Sequence, residues 1–302
     1  MATTTITAEQ LREWLDGGRD FVLLDVVPGE YFAEKHIPGA CCACVYEVVF
    51  LDRVRDIVPA PEREIVVYGS SARSRASAVA AEKLAAAGYP GVVDFPGGLE
   101  EWEALGYPLE ADPAKAVPVP TLADRSYAVD PAKSTLHWVG RNLGGRHHGS
   151  IGVKGGGLTF SGGNLTGGNI AIDMETIRNS DLTDETWNRL LINHLKSEDF
   201  FDVTRFPTAS FELARATLLP DATPGTPNHR VEGILTIRGV GNRVEFPALI
   251  APRDDGGVSA QAFFDIDRTR WKVVYGSGKL FEKLGMHLVN DIISLELQVV
   301  AY

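Results

Sequence analysis

The chain has 302 residues, 44% of them hydrophobic and 23% charged, which favours two globular domains over a single core. A formal net charge of −11, without any Lys/Arg stripe, disfavours nucleic-acid binding because phosphates would have to be neutralised. No apolar run reaches the roughly 18 residues of a membrane span, and the first residues lack a secretory pattern. A cytoplasmic location is therefore expected.

The first 110 residues alternate predicted strands with predicted helices, which indicates a parallel sheet covered on both faces. Thr7 is the expected N-cap of the first helix, and Gly88 is the expected stop of an alanine-rich one. The predicted helices are Thr7–Leu15, Ser74–Ala87 and Gly98–Ala104, and the predicted strands are Phe21–Val26, Glu64–Tyr68 and Val92–Phe95.

The composition changes after residue 110. Residues 111–125 contain three prolines and no amphipathic period, which predicts a linker. Residues 126–302 then show alternating apolar and polar positions between Gly/Asn/Asp turns, with one helical stretch at Asp184–Leu195. Many strands at short spacing predict an antiparallel β-barrel or sandwich for this second domain.

Three segments of the first domain resemble the rhodanese family. They are LLDVVPGEYFAEKHIPGA (23–40), VVYGSSARSRASAVAAEKLAAAGY (66–89) and FPGGLEEWEALGYPLE (95–110). The resemblance implies an α/β domain that carries sulfane sulfur as a cysteine persulfide. Such chemistry needs a thiolate at the start of a loop whose N–H groups stabilise the anion.

This sequence has Gly69 where the rhodanese family has its cysteine, and Val27 where it has an arginine. A glycine cannot hold a persulfide, so we expect no catalytic residue in this domain. The degenerate loop comprises Gly69, Ser70, Ser71, Ala72, Arg73 and Ser74. It is interpreted either as scaffold or partner-docking surface, or as a surviving anion site whose donors are supplied by Ser70, Ser71, Arg73, Ser74 and Arg75.

Three cysteines, Cys41, Cys42 and Cys44, follow the HIPGA turn. The resemblance places them on the next strand and away from the loop, so they are not expected to replace the missing thiol. Their spacing lacks the C-x-x-C pair of a zinc site. Packing as small hydrophobic side chains on a buried strand is the favoured interpretation.

The second domain resembles the YceI-like, polyisoprenoid-binding proteins of lipocalin-like fold. The resemblance is carried by YAVDPAKSTLHWVGR (127–141), HLKSEDFFDVTRFPTASFE (194–212), GILTIRGV (233–240) and RTRWKVVYGSG (268–278). It implies an antiparallel β-barrel with an elongated apolar tunnel for an isoprenoid chain, and it also implies a homodimer.

A closed sheet of about eight strands leaves an interior that is either filled by side chains or holds one small ligand. A packed core accounts for any single aromatic residue here, whereas the family resemblance favours a ligand. The candidate ligand-binding residues are Trp138, Phe160, Phe200, Phe201, Phe206, Phe211, Leu235, Ile237 and Trp271. No cofactor is expected other than a bound isoprenoid or quinone-like lipid.

Histidines are frequent in the turns of the second domain, with His147 and His148 in a predicted hairpin. No spacing typical of a metal site is present, so we expect no metal; a solvated turn or a histidine bonded to a neighbouring loop is favoured. His194 is expected to cap its helix rather than to catalyse a reaction.

These features favour a binding protein over an enzyme. The barrel would hold an apolar or amphiphilic ligand, and the rhodanese-like domain would dock an unidentified protein partner or regulate. One alternative is an enzyme of sulfur metabolism that presents a lipophilic sulfur acceptor, and another is an interaction protein with a solid barrel.

Overall fold

The computed structural model describes residues 4–112, 114 and 120–302. The chain forms two compact units, Met1–Val119 and Pro120–Tyr302. Residues 113 and 115–119 of the predicted linker lie outside the described residues. Among the described residues, no helix is long and apolar enough to cross a membrane.

The first unit is an α/β fold whose five strands are all parallel, in the order β1-β5-β4-β2-β3. Its elements are β1 (Thr4–Thr5), α1 (Ala8–Asp16), β2 (Val22–Asp25), α2 (Gly29–Glu34), β3 (Cys41–Cys42), α3 (Phe50–Ile57), β4 (Ile65–Tyr68), α4 (Ala76–Ala86), β5 (Val92–Phe95) and α5 (Gly98–Ala104).

Alternating residues of the first sheet point to opposite faces, and each face has its own core. Val67 packs with Phe50 of α3 and Leu84 of α4 on one face, whereas Val66 packs with Leu11 of α1 and Trp102 of α5 on the other. Helices therefore cover both faces, which confirms the predicted architecture.

The helix predictions of this unit hold to within one or two residues. Thr7 caps α1 in a capping box with Gln10, as the sequence predicted. The short elements β1, α2 and α3 were not predicted. The cysteine strand contains only Cys41 and Cys42, which are half-buried, and Cys44 alone is fully buried.

The second unit is an antiparallel barrel. Its elements are β6 (Ser126–Ala128), β7 (Thr135–Arg141), β8 (Arg146–Ser161), β9 (Asn164–Asn179), α6 (Glu185–Lys196), β10 (Thr208–Leu218), β11 (His229–Ile237), β12 (Val240–Pro252), β13 (Val258–Asp267) and β14 (Ile292–Ala301), with 3₁₀ turns at Arg268–Trp271 and Gly285–His287.

Strands β7 to β14 form a closed ring, because β14 pairs with β7 and β8 pairs with β9. The short strand β6 pairs with residues 157–159 of β8, beyond the part of β8 that pairs with β7. This confirms the barrel prediction. The β7–β8, β9–β10, β11–β12 and β13–β14 connections share one end of the barrel, since consecutive strands are antiparallel. The two longest of them, which contain α6 and residues 268–291, lie at this end.

Candidate functional site

The inner face of the barrel is apolar because buried residues alternate along each strand. In β11, Val231, Gly233, Leu235 and Ile237 are buried and the residues between them are more exposed. Leu235 and Ile237, two of the candidate ligand-binding residues, therefore face the interior, as a period of two requires.

The barrel encloses a cavity of about 260 Å³, so it is hollow. Seven of the nine predicted ligand-binding residues line it: Trp138, Phe200, Phe201, Phe211, Leu235, Ile237 and Trp271. Phe160 instead packs edge-on against Tyr127 in the core, and the ring of Phe206 lies over Gly239 in the β11–β12 hairpin. These two residues lie outside the cavity lining.

The two indole groups in the wall present apolar surface because their N–H groups are already bonded. Trp271 Nε1 donates to the Leu235 carbonyl at 2.8 Å, and Trp138 Nε1 donates to the Arg178 carbonyl at 3.2 Å. A buried N–H without a partner would be costly. Bonding both to the backbone fixes the rings and leaves a wall suited to hydrocarbon.

Polar side chains line the cavity only where it approaches the end that carries the long connections. These are Arg141, Asn142, His147, His194, Arg268, Tyr275 and Asn290. His147 and His194 also border a surface depression beside Trp187 of α6. The cavity therefore has an apolar interior and a polar mouth, an arrangement that suits an amphiphile with its head outward.

Asp181 holds the two hairpin histidines, His147 and His148. His147 Nδ1 lies 2.8 Å from Asp181 Oδ2, and the His148 backbone N–H donates to Asp181 Oδ1 at 2.8 Å. Burial by itself would raise the pKa of Asp181, but these bonds and one from Asn179 lower the pKa to about 2. His147 thus bonds a neighbouring loop, which was one of the arrangements favoured by the sequence.

His194 lies in the last turn of α6. Its ring meets Phe200 and Tyr275 edge-on, and its Nε2 is 3.4 Å from Asp199 Oδ2. Within the described part of the chain, no three His, Cys, Asp or Glu side chains come together as a metal ion would require.

Arg268 is a buried cation below the mouth. Its guanidinium donates to the carbonyls of Val273, Val289 and Asn290 and to Asp291. Burial lowers the pKa of Arg268, whereas the neighbouring Asp291 raises it. Because its donors are used within the protein, Arg268 fixes the 268–291 connection in place and supports the wall of the cavity.

Several lining residues were not among the predicted ones, notably Leu136, Ile170, Phe246, Phe264 and Leu295. Strand alternation in the sequence could have identified Phe246 as an inward residue. It could not distinguish Phe264 from its neighbour Phe263, because the sequence alone does not show which of two adjacent phenylalanine rings faces inward. The structure places Phe263 outside, 65% exposed, and Phe264 inside.

The loop of residues 69–74 connects β4 to α4 in the first unit and borders a surface depression. Gly69 is buried at its start, and its carbonyl accepts from Leu99 N–H of α5. Gly98 permits this close approach: it has a φ of +59°, and a Cβ there would lie 2.4 Å from the Gly69 oxygen. The loop and α5 therefore brace one another.

The charge around this depression is mostly acidic. Arg73 is already paired with Glu100 at 2.9 Å and Lys35 is paired with Glu103 at 2.5 Å, and Asp25 and Glu34 also border the depression. These carboxylates make the surface a poor receptor for an anion.

Cys42 is the cysteine whose thiol is most affected by its surroundings. Burial, with the nearby charge of Asp25, raises the pKa of the Cys42 thiol to about 11. A thiol of that pKa is protonated near neutral pH, and the thiolate is the reactive form. Cys42 Sγ instead points to the Val27 carbonyl at 3.7 Å.

These two units define the class of the protein: an α/β rhodanese-like domain joined to a hollow, lipocalin-like β-barrel. Residues 7–105 match the rhodanese-like domain, and residues 127–301 match the YceI-like domain. The chain belongs to the YceI-like family, and it carries a rhodanese-like domain before the barrel.

Among solved structures, the barrel is similar to Burkholderia cenocepacia BcnA, with 22% identity over 58% of this chain and 99% of that one, at a TM-score of 0.43. It is also similar to a polyisoprenoid binding domain from Saccharophagus degradans, with 11% identity over 58% and 97% and a TM-score of 0.42. The first unit is similar to the Alr3790 protein from Anabaena sp., with 30% identity over 35% and 91% and a TM-score of 0.32. No curated protein matches the chain.

Proposed function

We propose that the protein binds an apolar or amphiphilic ligand of the isoprenoid or quinone type inside its barrel. The observation that carries this proposal is the cavity of about 260 Å³, apolar within and polar only at its mouth. A packed, solid barrel would have left no such space. The hydrocarbon part of the ligand occupies the interior, and its polar head meets Arg141, His147 and Tyr275 at the mouth.

Native mass spectrometry of the purified full-length chain tests this proposal. We expect the intact protein to carry, or to take up, a short polyprenyl alcohol or a quinone. Ala209, whose side chain lines the cavity, offers a variant: Ala209→Phe fills the space and reduces uptake. Thr208→Phe, at the neighbouring exposed position, is the matched control and retains it.

A chain that purifies without ligand and takes up neither compound would contradict the proposal, provided that circular dichroism shows the barrel to be folded. The family resemblance also implies a homodimer, and the same native spectra report the mass of the assembled species.

The rhodanese-like domain, in this proposal, transfers no sulfur and serves to dock a protein partner. The support is Gly69 at the nucleophile position and the pKa of about 11 at Cys42. In a thiosulfate–cyanide assay we expect the full-length chain to form no thiocyanate above the rate without protein. Turnover that depends on the protein would instead favour the sulfur-metabolism alternative.

A further inference from the structure

Three phenylalanine rings lie across the interior of the barrel. Phe246 of β12 and Phe264 of β13 stack face to face, with ring centroids 4.2 Å apart and planes within 8°. Phe211 of β10 lies beside Phe246 at 5.5 Å. The adjacent strands β12 and β13, together with β10, thus contribute to one continuous aromatic layer.

The aromatic layer separates two spaces of unequal size. On the mouth side is the cavity of about 260 Å³, and on the other side is an inner cavity of about 50 Å³. Phe211 and Phe246 line both spaces, together with Ile170 and Leu297. Phe264 lines only the outer cavity and stacks on Phe246, so Phe211 and Phe246 are the rings that stand between the two spaces.

The sequence pattern of the strands produces this division. The inward positions of β13 are small beyond the layer, at Ala260 and Ala262, and then large at Phe264. On β11, Gly233 leaves room for the ring of Phe211, because a Cβ at Gly233 would lie 2.4 Å from two atoms of that ring. Small residues on neighbouring strands therefore leave the space in which the phenylalanine rings extend across the barrel.

The size of the outer cavity sets the amount of hydrocarbon that it encloses. An apolar cavity of about 150 Å³ holds benzene, which has six carbon atoms. By proportion, the outer cavity of about 260 Å³ encloses roughly ten carbon atoms. The elongated tunnel implied by the family resemblance would hold many more.

We propose that Phe211, Phe246 and Phe264 form a partition that limits the chain enclosed by the barrel to roughly ten carbon atoms. This inference rests on the proposed function, since it concerns the same cavity. It narrows the ligand class to short or compact hydrocarbons, such as a two-unit isoprenoid or a quinone ring with a short tail. Any longer chain leaves its remainder outside the mouth.

The partition predicts a break in the dependence of affinity on chain length. Each methylene that enters the cavity improves affinity by roughly two- to fourfold, whereas a methylene outside it adds little. Titration calorimetry of the full-length chain with straight-chain primary alcohols of six to fourteen carbons measures this dependence. For the wild type we expect affinity to rise to roughly ten carbons and then level off.

Phe246→Ala removes a ring that lines both spaces and joins them. The affinity of this variant then levels off at a longer chain than that of the wild type. The inner cavity adds room for roughly two carbon atoms, and the volume vacated by the ring adds room for more. Phe263→Ala is the matched control, because Phe263 is a phenylalanine on the outer face of the adjacent strand β13 and is 65% exposed. The affinity of this control variant levels off at the same chain length as that of the wild type.

Phe246→Leu and Phe211→Leu serve as milder variants if circular dichroism shows that Phe246→Ala does not fold. A wild-type affinity that keeps rising to fourteen carbons overturns the partition, and so does a break that is unchanged in every folded variant. If no alcohol binds to the folded wild type, the proposed function itself fails, and this result is distinct from the other two.

Discussion

At the scale of single residues, Asp25 is an almost fully buried carboxylate. It lies at the end of β2 and is 1% exposed. Burial raises its pKa to about 6, although the Val27 N–H and the Tyr68 hydroxyl both donate hydrogen bonds to it. Its pKa in the unfolded chain is about 3.9.

This difference predicts that the first unit loses stability as pH rises. Between about pH 4 and 6 the folded state binds more protons than the unfolded state, so the free energy of unfolding falls as pH rises through that window. Asp25→Asn removes the titrating group and keeps an acceptor for Val27 N–H. We expect it to stabilise the unit at pH 7 by roughly 1–3 kcal/mol and to flatten the pH dependence.

Hydrogen exchange of β2 and β4 peptides at pH 4.5 and 7.5, corrected for the intrinsic exchange rate, measures the effect. Asp56→Asn, at an exposed position of α3, is the control and leaves the dependence as it is. The same pH dependence in Asp25→Asn and in the wild type would show that Asp25 is not its source.

Single residues also show how far the sequence alone reaches. The absence of a thiol at position 69 follows directly from the sequence, because glycine has no side chain. The sequence did not predict that Phe206 lies over Gly239 or that Phe160 contacts Tyr127. Aromatic side chains occur both in packed cores and in cavity walls, so residue type does not distinguish the two.

At the scale of elements, α6 is the helix beside the mouth of the barrel. Leu191, His194 and Leu195 on its inner face line the cavity. Its N-terminus is capped by Asp184, whose carboxylate accepts from Thr186 N–H at 2.9 Å and Trp187 N–H at 3.1 Å. The cap satisfies donors that the first helical turn leaves open.

Asp184→Ala removes this cap and is expected to cost about 1 kcal/mol. The loss appears as faster hydrogen exchange in α6 peptides and as a lower midpoint of urea unfolding for the barrel. Asp184→Asn restores an acceptor at the same position and recovers most of the loss. If the alanine and asparagine variants exchange at the same rate as the wild type, the cap does not stabilise α6.

The elements themselves were largely readable from the sequence, since periods of 2 and 3.6 differ clearly over long segments. The strand Val92–Phe95 and the helix Gly98–Ala104 have the predicted bounds. The helix α3 was missed because it follows the cysteine strand without a cap residue: its N-cap is Val49, with no side-chain hydrogen bond.

At the scale of the whole molecule, the acidic balance is concentrated in the first unit, whose residues 1–110 hold 18 acidic and 9 basic residues. The acidic side chains around the Gly69 loop are part of this balance. They favour a basic partner over an anionic ligand at the loop, which agrees with docking as the proposed role. The cytoplasmic location stays a prediction.

The sequence by itself determined the two fold classes, the absence of a nucleophile at residue 69 and the apolar inner face of the barrel. These follow from residue identity and from periodicity, which are local properties of the chain. Only the tertiary structure decided that the barrel is hollow, where its mouth lies and where the aromatic partition stands. Empty space depends on how side chains from distant strands meet, and Phe211, Phe246 and Phe264 meet only when the ring of eight strands closes.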